Sequence, residues 1–272
     1  MEINFERNTF SKRLCSMLKV DFRRMFTMPL IYIIVAACLV MPIIILVMTT
    51  MMDGTVSHNP QTGEETVVEG FKNVWQIIGS VSSDATAGTE AAMDMSITSM
   101  CNINMLYFFI AVLVCVFVAE DFRCGYAKNL FTIRAEKSDY VISKTLVCFV
   151  GGALMILAFF IGSMLGGAIS GLSFEMIGFN VGNAVMCILS KIILASVFVP
   201  IYLVLSVAAK QRIWLSILLS LMVGMFLFMM IPMLTPLNAT IMNVGICLVD
   251  GALFGVGLGA ISKVILSKTS LV

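Results

Sequence analysis

The sequence predicts an all-α integral membrane protein: six transmembrane helices with cytoplasmic N and C termini, preceded by an amphipathic interfacial helix. Of its 272 residues, 60% are hydrophobic and only 12% are charged, and the mean hydropathy is +1.02. A soluble domain carries about 25% charged residues and cannot bury so much apolar surface. Long uncharged runs and a strongly one-sided distribution of basic residues complete the prediction. A soluble enzyme, a disordered chain and a secreted disulfide scaffold are therefore excluded.

The cytoplasmic N-terminal segment, 1–27, contains a predicted amphipathic elbow helix at 10–26. At about 100° per residue, its apolar side chains fall on one side. Asp21 intrudes on that apolar side, where we expect it to pair with Arg24 three residues on. Such a helix before a first span lies on the inner leaflet, although a flank without fixed structure is the alternative. The basic residues assigned to this interfacial helix are Lys12, Arg13, Lys19, Arg23 and Arg24.

The predicted transmembrane domain occupies residues 28–262. A helix needs about 20 apolar residues to cross the hydrocarbon core, and three uncharged gaps in the first half hold one span each. The uncharged stretch 213–249 is too long for one span, and Pro232 and Pro236 predict the turn that divides it. We therefore place spans near 28–50, 99–119, 145–170, 184–208, 214–234 and 240–262.

The basic residues predict the orientation of these spans. Fifteen of the 17 Lys and Arg residues fall in the N-terminal segment, the 120–144 loop, the 209–213 link and the 263–272 tail. The opposite side has only Lys72, against eight acidic residues in the 51–98 loop and at Glu175. By the positive-inside rule, the basic side is cytoplasmic.

The 51–98 loop is the only sizeable external segment. Its Gly, Asn, Pro and Thr residues at 53–63 predict a hairpin-like turn. The apolar residues between Phe71 and Ile78 predict a short amphipathic helix at the outer interface. The loop is either an acidic gate for substrate or a solvated loop that Trp75 anchors in lipid.

Small residues at a spacing of four predict close approach between membrane helices. The third span carries Gly162 with Gly166, and Gly167 with Gly171. The sixth span carries Gly251, Gly255 and Gly259.

Several kinds of chemistry are absent from the sequence. The eight cysteines include no C-x-x-C pair, so buried apolar packing is favoured over a metal site. The only histidine, His58, lies in a polar stretch, which excludes an intramembrane serine–histidine protease or a histidine-ligated metalloprotease. Because no G-x-x-x-x-G-K-[ST] loop is present, we expect no ATP hydrolysis and no cofactor in this chain.

Lys191 and Asp250 are the opposite charges that fall within the spans. Measured from the outer ends of their helices at 1.5 Å per residue, their depths differ by less than a lysine side chain can reach. Because an intramembrane charge requires a partner, we predict that they pair, directly or through a water molecule, and join span four to span six. In the alternative, Lys191 reaches the outer interface and Asp250 contacts backbone or another chain.

The 120–144 segment resembles the first intracellular loop of type 2 ABC transporter permeases. In that family an acidic residue ends the second span, and here this is Glu120. A glycine turn at Gly125, a Lys-x-Leu-like stretch at 128–130, a short coupling helix at 138–143 and Lys144 at the start of span three match in order. The 18–29 segment is similar to the elbow helix of such permeases. One departure is the 135–137 segment, where many relatives carry a proline.

The resemblance implies that this loop couples the chain to an ATPase. Ser138 would cap a helix that begins at Asp139, and Tyr140, Val141 and Ile142 would offer an apolar face to a cleft on the partner. An ordinary basic loop is the alternative. The residues assigned to coupling are Glu120, Asp121, Arg123, Gly125, Lys128, Ser138, Asp139, Tyr140, Val141, Ile142 and Lys144.

The function that the resemblance implies is the permease subunit of an ATP-driven exporter in the bacterial cytoplasmic membrane. Its expected partners are separate ABC ATPase subunits that bind ATP and Mg, a second permease chain, identical or related, and the lipid bilayer. Nucleic acid is not expected to bind. The expected substrates are amphipathic or antimicrobial peptides, as in lantibiotic immunity, or hydrophobic drugs. A secondary transporter with a Lys191–Asp250 relay and a non-transport membrane assembly subunit remain alternatives.

Overall fold

The computed structural model describes residues 10–58, 65–67, 69–81, 101–132, 136–209, 212–228 and 230–268. Two short strands, β1 (Val56–His58) and β2 (Glu65–Val67), pair antiparallel within the 51–98 loop. Short 3₁₀ turns occupy Val74–Ile77 and Ile103–Met105. The helices are α1 (Phe10–Thr27), α2 (Pro29–Met52), α3 (Leu106–Arg123), α4 (Tyr126–Thr132), α5 (Lys137–Ser170), α6 (Val181–Ala209), α7 (Ile213–Phe228), α8 (Ile231–Leu234) and α9 (Ile241–Lys268).

The predicted all-α membrane architecture is confirmed. Within the described residues, α2, α3 with the 3₁₀ turn before it, α5, α6 and α9 are long and apolar enough to cross a bilayer. The predicted fifth span, 214–234, is divided instead. Its first part is α7, which has only 16 residues, and α8 begins at Ile231. Pro232 lies in the first turn of α8, where its missing amide donor disrupts no helical hydrogen bond.

Glycine contacts account for the packing of two helix pairs. A methyl group at Gly162 or Gly166 would collide with the backbone of α2 at Leu39 or Ile43. The predicted close approach through these two glycines is therefore confirmed, because only glycine leaves that space free. On α9, Gly251 lies against Ser196 of α6, whereas Gly255 faces open space.

The helices differ in how much of each lies inside the molecule. In the most apolar stretch of α3, 67% of the residues are buried, against 11% in that of α9. Thus α3 is central, and α9 is a peripheral helix that packs along α6.

The two ends of the helices have different composition and are named accordingly. The basic end contains α1, α4, the first turns of α5 and the last turns of α9, joined by contacts such as Arg13 to Glu136 and Lys137 to Leu266. The acidic end contains the β-hairpin, the 69–81 segment, the 171–180 loop and the 235–240 segment, with contacts such as Val74 to Ser173 and Leu237 to Ser80.

At the acidic end, the 69–81 segment covers the ends of the helices. Its 3₁₀ turn is capped by Asn73, and Val74 packs against Gly167 of α5. Trp75 is only 7% exposed; its indole Nε1 donates to the Phe174 carbonyl at 3.1 Å, and its ring meets Phe179 edge-on at 5.4 Å. The interpretations of Trp75 as a lipid anchor and of 71–78 as an interfacial amphipathic helix are therefore wrong.

The predicted pair between Lys191 and Asp250 is also wrong. Lys191 is 1% exposed, and its Nζ donates to Asn104 Oδ1 at 2.9 Å and Thr235 Oγ1 at 2.8 Å. Asp250 lies on the peripheral face of α9, where a shallow groove forms. Neutral oxygens from the 3₁₀ turn before α3 and from the end of α8 therefore replace the expected carboxylate.

Candidate functional site

A buried network of charged side chains at the basic end is centred on Lys144. This lysine lies two turns into α5 and is fully buried. Its Nζ is 2.9 Å from Asp21 Oδ1 and 2.7 Å from Asp121 Oδ2. The ammonium group also lies 3.9 Å from the centroid of the Phe117 ring. One cation thereby joins α1, α3 and α5.

The two carboxylates of this network each have further donors. Asp121, in the last turn of α3, accepts from Tyr140 Oη at 2.9 Å and from Arg24 Nη1 at 2.5 Å. Asp21 accepts from Ser143 Oγ at 2.6 Å. Two acids and two bases therefore balance in charge. Such pairing is needed where charges are taken out of water.

The amphipathic sequence of α1 places Asp21 in the network. Asp21 is buried on the same side of the helix as Met17 and Met25, the face that packs against α5. Met28 is extended and Pro29 begins the next helix, so the chain changes direction between α1 and α2. The expected Asp21–Arg24 pair is wrong, because Asp21 bonds to α5 whereas Arg24 bonds to Asp121 of α3.

A second set of contacts extends the network along α1. The Arg13 guanidinium is 3.3 Å from a carboxylate oxygen of Glu136 and 3.2 Å from one of Asp139. Lys137 Nζ donates to the Leu266 carbonyl near the end of α9 at 2.9 Å. The first turn of α5 is thus fixed to both α1 and α9.

Helix α4 is the short helix between α3 and α5 at the basic end. It follows a turn at Gly125, whose φ of +74° favours glycine. Within α4, Ala127 is buried, whereas Lys128 and Asn129 are exposed. Helix α4 therefore has one face on the protein and one free face.

Tyr126 connects α4 to the charged network. The Arg24 guanidinium lies 3.9 Å from the centroid of its ring, a cation–π contact. Burial, together with the charges of Asp21 and Asp121, raises the pKa of Tyr126 to about 12, so its phenol is neutral at physiological pH. Burial lowers the pKa of Arg24, but the adjacent Asp121 carboxylate outweighs this effect and raises it. The cation at this contact is therefore permanent.

Several details of the predicted coupling helix are wrong. Helix α5 is continuous from Lys137 to Ser170, and its N-cap position is Glu136, not Ser138. Tyr140 and Val141 are 0% and 4% exposed, so neither offers an apolar face to a partner. Only Ile142 of that trio is exposed.

The other predicted residues divide into exposed and paired groups. Asp121, Asp139 and Lys144 are buried in ion pairs, and the basic residues Arg13 and Arg24 join them. Glu120 is partly buried near the end of α3. Those exposed at the basic end are Lys12, Lys19, Arg23, Arg123 and Lys128.

The sequence did not predict that Asp21, Ser143 and Tyr126 belong to this site. The available signal was the acid on the apolar face of α1, because a buried carboxylate requires a donor from another element. Lys210, predicted to lie on the same side, falls outside the described residues.

Comparison with protein families identifies the kind of protein that carries this site. The family model of the ABC-2 family transporter protein matches residues 18–227, from the second half of α1 to α7. The chain belongs to the ABC-2 transporter family. The resemblance to type 2 ABC transporter permeases is thereby confirmed. No curated protein and no solved structure matches the chain.

Membership in the ABC-2 family has direct consequences for function. The chain is the membrane subunit of an ABC transporter, and such subunits work with a partner ATPase in a lipid bilayer. Helix α9 and the segment before it lie beyond the matched residues. The secondary-transporter alternative required a Lys191–Asp250 relay, which the structure does not form.

Proposed function

We propose that this ABC-2 permease is part of an exporter that moves an amphipathic or hydrophobic substrate, such as an antimicrobial peptide or a drug, out across the bacterial cytoplasmic membrane. The basic end faces the cytoplasm. There, the exposed face of α4 binds a separate ATPase subunit, which binds ATP and Mg. A second permease chain completes the path.

The anchoring of α4 supports this proposal most directly. Tyr126 of α4 stacks on Arg24, Arg24 bonds to Asp121, and Asp121 bonds to Lys144. Each contact is made by a buried or partly buried side chain. A displacement of α4 would therefore move α1, α3 and α5 together rather than bend a loose loop, as a coupled transition of rigid elements requires.

The charge distribution supports the orientation. Positive residues concentrate at the basic end, as in cytoplasmic loops.

Charge reversal on α4 tests the docking surface. The variant Lys128→Glu with Asn129→Glu changes two exposed side chains and leaves the buried Ala127 and Tyr126 in place. We expect Mg-dependent ATPase activity that co-purifies with the tagged chain from its own membranes to fall about tenfold or more, the effect of unfavourable charges at an interface. The chain itself should be inserted at the normal level.

The matched control is Lys12→Glu with Lys19→Glu, which reverses two exposed charges at the same end but on α1. This control should keep most of the ATPase activity. Loss with the control variant and retention with the α4 variant would contradict docking on α4.

Transport requires a separate measurement. Cells that express the chain with its ATPase should tolerate a cationic lantibiotic or ethidium better than cells with the α4 variant. Depletion of ATP should abolish the difference, and collapse of the proton gradient alone should not. Equal sensitivity of the two strains to every such compound would contradict export of this substrate class.

A further inference from the structure

Asp250 occupies an unusual position on the peripheral helix α9. It lies nine residues from the start of α9 at Ile241, which is about 14 Å along the axis at 1.5 Å per residue. A hydrocarbon core about 30 Å thick places this residue near the bilayer midplane. Asp250 is only partly covered, and no described residue forms an ion pair or hydrogen bond with its carboxylate.

The surface around Asp250 is a shallow groove made by α9 alone. Its lining residues recur at intervals of three and four, so they form one continuous stripe along the helix. Gly245 provides the depression, since a side chain at that position would meet no other part of the chain. The residues that line the groove are Met242, Gly245, Ile246, Val249 and Asp250.

An acidic side chain in hydrocarbon needs a cation, a hydrogen-bond donor or a proton. At Gly245 the backbone of a neighbouring helix could approach closely, because this position carries no side chain. A basic side chain on such a helix would neutralise Asp250 at a depth where water does not reach. Among these three, only a cation on a neighbouring helix also offsets the negative charge of Asp250, so charge complementarity favours a basic partner helix.

A second copy of this chain does not supply that chemistry. The only basic residue near the middle of any span is Lys191. It is 1% exposed and is bonded to Asn104 and Thr235. Two copies that met through this face would place one Asp250 near the other and bring like charges together.

We infer that this face of α9 binds a transmembrane helix of a different protein, one that carries a lysine or arginine near its own midpoint. The inference goes beyond the proposed export function and does not rest on it. It makes the permease a subunit of a hetero-oligomer within the membrane.

Synthetic transmembrane helices test this inference directly. The full chain, fused at its C terminus to a fluorescent protein, is reconstituted in phosphatidylcholine vesicles. Energy transfer is measured to acceptor-labelled leucine–alanine helices that differ only at the central residue, which is lysine, leucine or glutamate. We expect the lysine helix to bind about tenfold more tightly than the leucine helix, the size expected for one interhelical polar contact.

Two pairs of variants separate charge from shape. Asp250→Asn should abolish the preference for lysine, and Asp250→Glu should keep it. Gly245→Leu fills the groove and should weaken binding of the lysine helix. Gly255→Leu also enters open space, but Gly255 lies outside the groove lining, about 80° around the helix from Gly245 and about 140° from Asp250, so this variant should bind normally.

Three results would overturn the inference. One is equal binding of the lysine and leucine helices, and another is an unchanged preference in Asp250→Asn. The third is energy transfer between donor-tagged and acceptor-tagged copies of the chain that Asp250→Asn abolishes, because a second copy would then occupy the groove. No ATPase is present in the assay, so failure here leaves the export proposal intact.

Discussion

Lys144 and Lys191 are both buried in the helical domain, but their partners differ completely. Lys144 contacts two carboxylates, Asp21 and Asp121, at 2.9 and 2.7 Å. Lys191 contacts two neutral oxygens, on Asn104 and Thr235, at 2.9 and 2.8 Å. The donor–acceptor distances are nearly the same at both sites. The difference is what removal of the lysine would leave unpaired, which is two buried carboxylates at Lys144 but two neutral oxygens at Lys191.

This difference indicates two separate uses of a buried cation. At the basic end, the charge of Lys144 is needed because Asp21 and Asp121 would otherwise carry uncompensated charge among apolar side chains. Nearer the acidic end, Lys191 acts as a hydrogen-bond donor that holds the turn before α3 and the end of α8 against α6. Stability should therefore depend on the positive charge itself only at Lys144.

Replacement of Lys144 by Met should have the largest effect on stability. It removes the cation between two buried carboxylates, and breaking a buried pair typically costs about 3–5 kcal/mol. The measurement is the free energy of unfolding of the purified chain during titration of mixed micelles with SDS. Stability within about 1 kcal/mol of the unaltered chain would contradict the central role of Lys144.

Replacement of Lys191 by Met should cost less. Asn104 and Thr235 would each lose a donor, for which about 1–3 kcal/mol is typical, but no anion would be stranded. The same titration ranks the two variants. A loss for Lys191→Met that exceeds the loss for Lys144→Met would reverse the comparison.

Much of the architecture follows from one-dimensional patterns in the sequence. The length of uncharged runs predicts five of the long helices, and the periodicity of residues 10–26 predicts α1, which ends one residue later. The close approach at Gly162 and Gly166 follows from residue size and spacing alone. Each of these properties is local, so no knowledge of the neighbouring helices is needed.

The choice of partners could not be predicted in the same way. Asp21 had Arg24 within reach on its own helix, yet it bonds to Ser143 and Lys144. The burial of the α1 face against α5 decides this, and that packing is a tertiary property. Lys191 and Asp250 likewise share a depth, but the direction in which each helix turns its side chain separates them.

The position of Tyr140 illustrates a different limit. Its sequence context resembles a short coupling helix, but α5 has 34 residues and extends about 51 Å at 1.5 Å per residue. The helix is therefore longer than the hydrocarbon core, and its first turns belong to the basic end. There Tyr140 bonds to Asp121 and meets the Phe131 ring edge-on, so its apolar surface is already used within the chain.

A double-mutant cycle sharpens the comparison at the basic end. The variants are Asp21→Asn, Lys144→Met and their combination. Because the two groups are in contact, we expect a coupling energy of about 1–2 kcal/mol, with the double variant less destabilised than the sum of the single variants. The SDS titration gives the change in the free energy of unfolding for each of the three variants. Strict additivity would mean that Lys144 is neutralised by Asp121 alone.

The smallest expected effect is the coupling between Lys191→Met and Asp250→Asn. Lys191 faces inward to Asn104 and Thr235, whereas Asp250 lies in the groove on the outer face of α9. Groups that share no partner usually give additive losses within about 0.5 kcal/mol. In the purified chain, Asp250→Asn should change stability little by itself, because it removes a charge that has no partner there. A coupling energy above about 1 kcal/mol, with recovery in the double variant, would show that the two side chains do meet. It would also remove the unpaired carboxylate on which the proposed partner helix depends.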